Sequence, residues 1–355
     1  VPGETVDLRY AENFSIEEFE SYRIVTVRNP WRGSGETLFQ YALVPIGDEL
    51  PELSADTRII RTPVKRLAVL GTVYLAHVEA LDLYQELIGV AHARYASDRK
   101  TLQQLKNGYT KSIPGEGSID IEVALSLQPD LILASALGDP QHDAHPLLER
   151  TGQSVAITAG YMEKHPLGRA EWLKFTAAFF EKDAMAKALF DGIADRYEKL
   201  SASTEWIERR PTVLANAPFA GTWHVPGGKS FTAQAIDDAG GRYLFQSIDS
   251  SGGVPVELEK VFFQAVDADF WIHPGRARSL AELESMDRRF VEFRAFKNGK
   301  VYNNSKRIGP GGGNEVWERG VLRPDETLAD LIAIFHPELI GQRELVYYER
   351  VLSDR

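Results

Sequence analysis

Two kinds of hydrophobic spacing divide this chain. Over the first 63 residues apolar positions fall in short runs rich in β-branched and aromatic side chains. Residues 22–27 (YRIVTV) and 38–44 (LFQYALV) read as strands, with 58–61 (RIIR) as a candidate third. The connector Asn29-Pro30-Trp31-Arg32-Gly33-Ser34-Gly35 is rich in turn formers, so the first two runs predict a β-hairpin. From Val64 the pattern changes to short apolar strands alternating with helices. Strands are predicted at 66–70, 88–91, 131–134 and 155–158, with helices at 72–87, 119–127 and 146–151. Strands of that kind between helices predict a parallel sheet covered on both faces. Two long helical runs follow, 169–180 (RAEWLKFTAAFF) and 184–200 (AMAKALFDGIADRYEKL), neither interrupted by proline. After Arg210-Pro211 the alternation resumes, with strands at 212–215, 270–273 and 301–303 and helices at 231–239 and 327–335.

One statement occurs in both halves. IDIEVALSLQPDLILAS, residues 119–135, is a helix, an Asp and an apolar strand; VELEKVFFQAVDADFWIHPG, residues 256–275, repeats that order through Asp269. The repeat predicts a duplicated α/β lobe. A length of 355 residues agrees, because it exceeds what one core usually fills. A hydrophobic content of 43% and a charged content of 26% are those of a soluble globular chain. No run reaches the length of a membrane span, and Val1-Pro2-Gly3 does not open a signal peptide, so the numbering is expected to start on a mature or trimmed chain. With no cysteine, disulfides, thiolate metal sites and a Cys nucleophile are excluded. A net charge of −11 argues against nucleic acid or an anionic membrane as the main partner.

The order of landmarks resembles the periplasmic binding proteins of ABC importers for ferric siderophores, haem and cobalamin. Those landmarks are the strand RLAVLG, the helix VEALDLYQELIGV (78–90), the Pro129-Asp130-Leu131-Ile132 entry, Ala239-Gly240-Gly241, and FKNGKVYNN (296–304). GRAEWLKFTAAFF (168–180) would begin that family's single spanning helix. The resemblance covers roughly residues 64–340. It implies two Rossmann-like lobes with central, mainly parallel sheets joined by a single long helix. The divisions would be an N-terminal β extension packed on the first lobe (1–63), a first lobe (64–167), a connecting helix (168–182) and a second lobe (183–355). A connecting helix without an internal proline or glycine would keep any closure of the lobes small. The resemblance further implies a monomeric, non-enzymatic solute-binding protein of the periplasm or, as a lipoprotein, of the cell surface. It would capture an iron–siderophore complex, haem or a corrinoid in the cleft between lobes, use no cofactor of its own, and deliver the ligand to an inner-membrane permease. Many members dock on the permease through one Glu per lobe; the matching positions here are Ala76 and Gln234.

Ligands of open α/β sheets bind beyond the carboxyl ends of the strands. On the first lobe those positions are Thr72, Tyr74, Arg94, Tyr95, Leu137 and Tyr161; on the second they are Phe219, Trp223, Arg276, Tyr302, Arg307, Asn314 and Trp317. Flat aromatic groups suit a large, greasy ligand, and arginines suit its acidic groups. Other motifs carry less. His142-Asp143-Ala144-His145 has a metal-like spacing but reads first as a solvated loop, and the eight histidines are scattered. Gly227-Gly228-Lys229-Ser230 lacks the earlier glycine of a phosphate-binding loop, Trp223 standing there instead. Gly309-Pro310-Gly311-Gly312-Gly313-Asn314 reads either as a plain linker or as a loop lining the cleft. The competing class is a two-lobe glycosyltransferase-like enzyme, for which Lys229 with Glu315 or Glu318 would be a thin nucleotide-sugar site.

Overall fold

A computed structural model describes residues 3–115, 119–139, 141–341 and 343–353. The chain divides into two compact units. Unit 1 comprises Val1–Glu163, Leu167–Gly192 and Ile308–Leu322; unit 2 comprises Lys164–Pro166, Ile193–Arg307 and Arg323–Arg355.

Unit 1 opens with strands β1 (Glu4–Thr5), β2 (Phe14–Glu18), β3 (Arg23–Arg28), β4 (Leu38–Pro45) and β5 (Thr57–Thr62). They form one five-stranded sheet in sequence order, antiparallel except for the parallel β4–β5 pair. The expected hairpin is therefore the centre of a larger sheet. Strand β2 escaped notice because only Phe14 and Ile16 mark its buried side, between Ser15 and Glu17. The second sheet holds β6 (Leu67–Val69), β7 (Leu87–Ala91), β8 (Lys111–Ile113), β9 (Leu131–Ser135) and β10 (Val155–Thr158), all parallel in the order β10-β9-β6-β7-β8. Around it stand helices α1 (Leu75–Ala80), α2 (Arg99–Asn107), α3 (Ile121–Ser126) and α4 (His145–Arg150). Helix α1 is shorter than expected, since Asp82 turns the chain with a φ of +46°. Leu81, Leu83 and Leu87 continue the apolar pattern from a turn and a strand instead. Helix α2 went unread because, of its nine residues, only Thr101 is buried.

Helix α5 (Pro166–Ala178) is buried on nearly every side, with Trp172, Leu173, Phe175 and Ala177 all in the core. Residues 168–182, expected to connect the lobes, thus lie wholly in unit 1. It is the next helix, α6 (Asp183–Ala202), that gives its first half to unit 1 and its second half to unit 2. The physical distinction was available: an all-round apolar helix belongs inside one core. Two carboxylates on and beside α5 hold the start of the chain. Glu171 accepts the amides of Arg9, Tyr10 and Ala11 at 3.0, 2.8 and 2.9 Å and takes Lys174 at 2.6 Å. Glu163 accepts the amides of Glu12 and Asn13 and the Trp172 indole. The rings of Phe14 and Tyr41 pack on Trp172, Phe175 and Phe179, joining the first sheet to α5.

Unit 2 contains β11 (Thr212–Ala215), β12 (Pro218–Phe219), β13 (Thr222–Pro226), α7 (Phe231–Asp238), β14 (Arg242–Tyr243), β15 (Gly253–Val256), α8 (Leu258–Ala265) and β16 (Phe270–Ile272). Helices α9 (Leu280–Met286) and α10 (Arg294–Lys297) and strand β17 (Val301–Asn303) follow. After α11 (Arg319–Leu322), which belongs to unit 1, come α12 (Pro324–Phe335), α13 (Pro337–Ile340) and β18 (Glu349–Arg350). The main sheet runs β14-β11-β16-β17-β18, parallel but for β18, and a small antiparallel sheet runs β12-β13-β15.

The repeated helix–Asp–strand statement has one structural meaning in both units. Asp130, entering β9, accepts the amides of Lys65 and Arg66 just before the neighbouring strand β6. Asp269, entering β16, accepts the amide and hydroxyl of Thr212 at the start of the neighbouring strand β11. Each Asp also donates its own amide back, to Arg66 and Thr212 respectively. A buried sheet needs its first backbone groups satisfied, and one carboxylate per unit does this where the two strands begin.

Candidate functional site

In unit 1 the chain leaves β6 toward β7 on one side and later lays β9 on the other, so the sheet's switch point lies between β6 and β9. Loops carrying Thr72, Arg94 with Tyr95, Leu137 and Tyr161 leave the carboxyl ends of β6, β7, β9 and β10. Five of the expected contacts therefore share one edge of the sheet. Tyr74 does not join them: it is 3% exposed, and its hydroxyl meets Thr158 at 2.8 Å. Burial pushes its phenol up to about 12, so Tyr74 supports the sheet edge from below.

The other loops are held firmly. Asp143 accepts the amides of Leu137, Gly138 and Asp139 at 2.8, 2.8 and 3.1 Å, which presents Leu137 at 63% exposure. Tyr161 donates its hydroxyl to the Ala136 carbonyl at 2.8 Å, with the Pro30 carbonyl at 3.1 Å, and remains 36% exposed. The His142–His145 stretch is thereby explained without a metal. His142 pairs with Asp139 at 2.6 Å, Asp143 is occupied by amides, and His145 packs against Phe39 and Trp31. Among the described residues no group of three or more His, Asp or Glu could hold a metal ion.

Arg94 and Tyr95 form the most developed part of this edge. The Arg94 guanidinium lies 4.5 Å from the Tyr95 ring centroid and donates to the Tyr95 hydroxyl, and both side chains are exposed. The segment 308–322 comes to lie against them within unit 1. A Cβ on Gly311 would sit 1.7 Å from the Arg94 carbonyl oxygen, and one on Gly313 1.8 Å from that of Tyr95. Only glycine permits that approach. The glycine run is thus a packed strand of backbone rather than a plain linker. Asn314 caps the turn that follows by accepting the Val316 amide, and Trp317 emerges half-exposed beside it.

In unit 2 the expected contacts scatter. Trp223 is fully buried, its indole donating to the Ala215 carbonyl at 3.2 Å amid Trp271 and Phe290, so it belongs to the core and leaves the ligand set. Phe219 is 76% exposed on β12, and Arg276 is exposed beyond β16. Tyr302 lies half-buried on β17 at 6.4 Å from Phe270, and Arg307 donates to the Val346 carbonyl at 3.0 Å. Two further polar residues stand directly at strand ends. Asn216 and His273 follow β11 and β16 directly with φ of +66° and +54°, as His92 follows β7 at +54°. The signal was a polar Asn or His immediately after an apolar strand, residue types that tolerate the left-handed region. His273 meets the Tyr348 hydroxyl through Nε2, and burial lowers its pKa to about 4. Gly227 and Gly228 would place a Cβ 2.0 and 1.9 Å from the carbonyl oxygens of Ser250 and Gln246. The protein's own loop fills that turn, and Lys229 pairs with Asp249 at 2.6 Å, which removes the phosphate reading. A shallow depression of about 330 Å³ beside Thr222, Pro255 and Glu257 contains none of the argued contacts.

A family model described as periplasmic binding protein matches residues 67–307. The chain belongs to that family. Its members are substrate-binding transport proteins rather than enzymes. An uncharacterized lipoprotein of Methanocaldococcus jannaschii is 24% identical over 96% of this chain and 84% of its own. A periplasmic haem-binding protein of Pseudomonas aeruginosa shares the fold with a TM-score of 0.60 and 19% identity, covering 81% of this chain and 98% of its own. An ABC-type Fe3+-hydroxamate transport protein of Saccharomonospora viridis does so with a TM-score of 0.56 and 18% identity, covering 79% and 94%.

The first sheet, β1–β5, and the segment 308–322 both lie outside the stretch that the family model matches. Neither Ala76 nor Gln234, the two positions matched above to a docking Glu, offers a free side-chain carboxylate. Ala76 is buried at 3% exposure, and the Gln234 amide donates to Asp238 at 2.9 Å. No helix among the described residues is long and apolar enough to cross a membrane.

Proposed function

We propose that this binding protein captures a ferric siderophore-type complex outside the cytoplasm and passes it to an ABC permease. The observation that carries the reading is the exposed Arg94–Tyr95 stack at the carboxyl end of β7, with Trp317 half-exposed on the adjoining segment. A guanidinium laid over a ring offers a flat surface and a fixed positive charge together. That cation suits the acidic groups that encircle a chelated ferric ion. The haem-binding and Fe3+-hydroxamate neighbours support a metal-centred organic ligand. The lipoprotein relative supports an extracytoplasmic, anchored location. The contacts in unit 1 are Thr72, Arg94, Tyr95, Leu137, Tyr161, Asn314 and Trp317. Phe219, Arg276, Tyr302 and Arg307 are the candidates in unit 2, to be tested singly.

Titration with ferric hydroxamates, ferric catecholates, ferric citrate, haem and cobalamins, followed by tryptophan quenching, tests the reading. At least one ferric complex should bind near micromolar or tighter, about −8 kcal/mol. Selective binding of haem or a cobalamin would replace the siderophore by that macrocycle. A flat response to every ligand would remove the proposal.

A further inference from the structure

We propose that Glu318 is a positioning residue for the binding edge of unit 1, its buried carboxylate fixing the loop that carries Arg94 and Tyr95. This rests on the ligand role given to those two residues above. Glu318 is 3% exposed and accepts the amides of Ser97 and Asp98 at 3.0 and 2.9 Å. Those two residues lead directly into α2. The helix does not need Glu318 as its cap, because the Asp98 side chain already accepts the Thr101 amide at 2.7 Å. What Glu318 adds is a hold on the loop before the helix. One continuous segment therefore grips residues 94–98 at both ends. Gly311 and Gly313 press on the carbonyls of Arg94 and Tyr95, and Glu318 takes the next free amides. With the backbone fixed at both ends, the Arg94–Tyr95 stack has one orientation to offer a ligand.

The hold is titratable. Burial pushes the Glu318 carboxyl from 4.5 up to about 7, against the opposing effect of its amide bonds. The titratable and charged groups on the elements around it are Arg94 on the loop, Asp98 capping α2 with Tyr84 donating to it, and Glu315 and Arg319 on its own segment. Helix α1, which packs on α11, contributes His77 and Glu79. The sign follows from the raised pKa. Between 4.5 and about 7 the closed arrangement keeps a proton that the opened one gives up. Closure is therefore strongest below 4.5, weakens as pH rises toward 7, and is level above it.

Amide hydrogen exchange on the ligand-free protein between pH 5.5 and 8, corrected for intrinsic exchange, reads this at Ser97 and Asp98. Protection should fall with rising pH, by at most about tenfold per unit, and level off above the Glu318 pKa. Glu318→Gln, isosteric and uncharged, should make the profile flat. A flat wild-type profile, or an unchanged slope in E318Q, overturns the proposal. Glu318→Ala should lose protection at every pH and weaken the tightest-binding ferric complex or haem about tenfold. If it binds that probe as tightly as wild type, Glu318 does not position the edge. Should E318A fail to fold, the E318Q profile and its affinity above pH 7 decide the matter. If wild type binds no probe at all, the ligand reading fails, and the exchange profile alone decides whether Glu318 holds the loop.

Discussion

In unit 1 three aromatic residues after or beside the parallel strands stay at the surface, Tyr74 being the buried exception; in unit 2 two tryptophans on strands lie in the core. Tyr95, Tyr161 and Trp317 sit on short turns after or beside strands and are between 36% and 50% exposed. Trp223 and Trp271 sit within strands β13 and β16 and are sealed with Phe290 and Phe293, Trp271 lying 5.0 Å from Phe290. A ring on a strand inherits the face its position dictates, whereas a ring on a turn is free to remain outside. The largest effect should come from breaking this contrast directly. Trp223→Ala empties a core site and should cost about 3–5 kcal/mol in chemical denaturation. Trp317→Ala should cost roughly 0.5 kcal/mol or less while removing much of the ligand-induced quenching. Equal destabilisation by the two would erase the distinction.

The same contrast shows what the residues disclosed. The parallel sheets are legible because runs such as LILA and VLA are apolar, and Thr72, Arg94, Tyr95, Leu137 and Tyr161 all follow the carboxyl ends of such strands. Trp223 was misplaced although TWHVP alternates: Trp223 and Val225 are buried while His224 is exposed, so the period of two already sent Trp223 inward. The role of Glu318 is not legible in the sequence, because its partners, Ser97 and Asp98, stand 221 and 220 residues earlier. No local pattern encodes a pairing at that distance. The assignment of the glycine segment 308–322 to unit 1 was hidden for the same reason.

Acid exposure should separate the units next. His77, 6% exposed in unit 1, meets the Thr176 hydroxyl at 2.8 Å, and burial lowers its pKa to about 4 from 6.5. A depressed folded pKa means that the unfolded chain binds the proton first. The contribution of His77 is complete above 6.5 and is lost as pH falls through 4, up to roughly 3 kcal/mol. His273 in unit 2 is lowered to the same value of about 4 but is less completely buried, so its part should be no larger. Denaturation midpoints between pH 4 and 7 for His77→Asn and His273→Asn check the ranking. A larger loss of slope in H273N would reverse it.

The two glycine pairs sharpen the comparison further. Gly228→Ala and Gly311→Ala each push a Cβ to within 2 Å of a carbonyl oxygen, at 1.9 and 1.7 Å. Both should destabilise by about 1–3 kcal/mol. Only G311A displaces Arg94, so only G311A should also weaken ligand binding. G228A moves the loop at Gln246, away from any proposed contact.

The smallest effect concerns two arginines that the sequence alone did not distinguish. Arg94 lies over the Tyr95 ring at 4.5 Å, whereas Arg276 stacks on no ring among the described residues. Lysine keeps the charge of either but loses the planar guanidinium and its fixed fork of donors. Replacing Arg94 by Lys should therefore remove the stack, which at an exposed site is worth about 0.5–1 kcal/mol. That is roughly a twofold to fivefold loss of affinity for the ferric complex that wild type binds. Arg276→Lys has only charge to preserve, and its affinity should stay within about twofold of wild type. Isothermal titration of both variants with that complex, at one ionic strength, resolves differences of this size. Equal losses would mean that both arginines act as bare charges and that the Arg94–Tyr95 stack adds nothing specific to recognition.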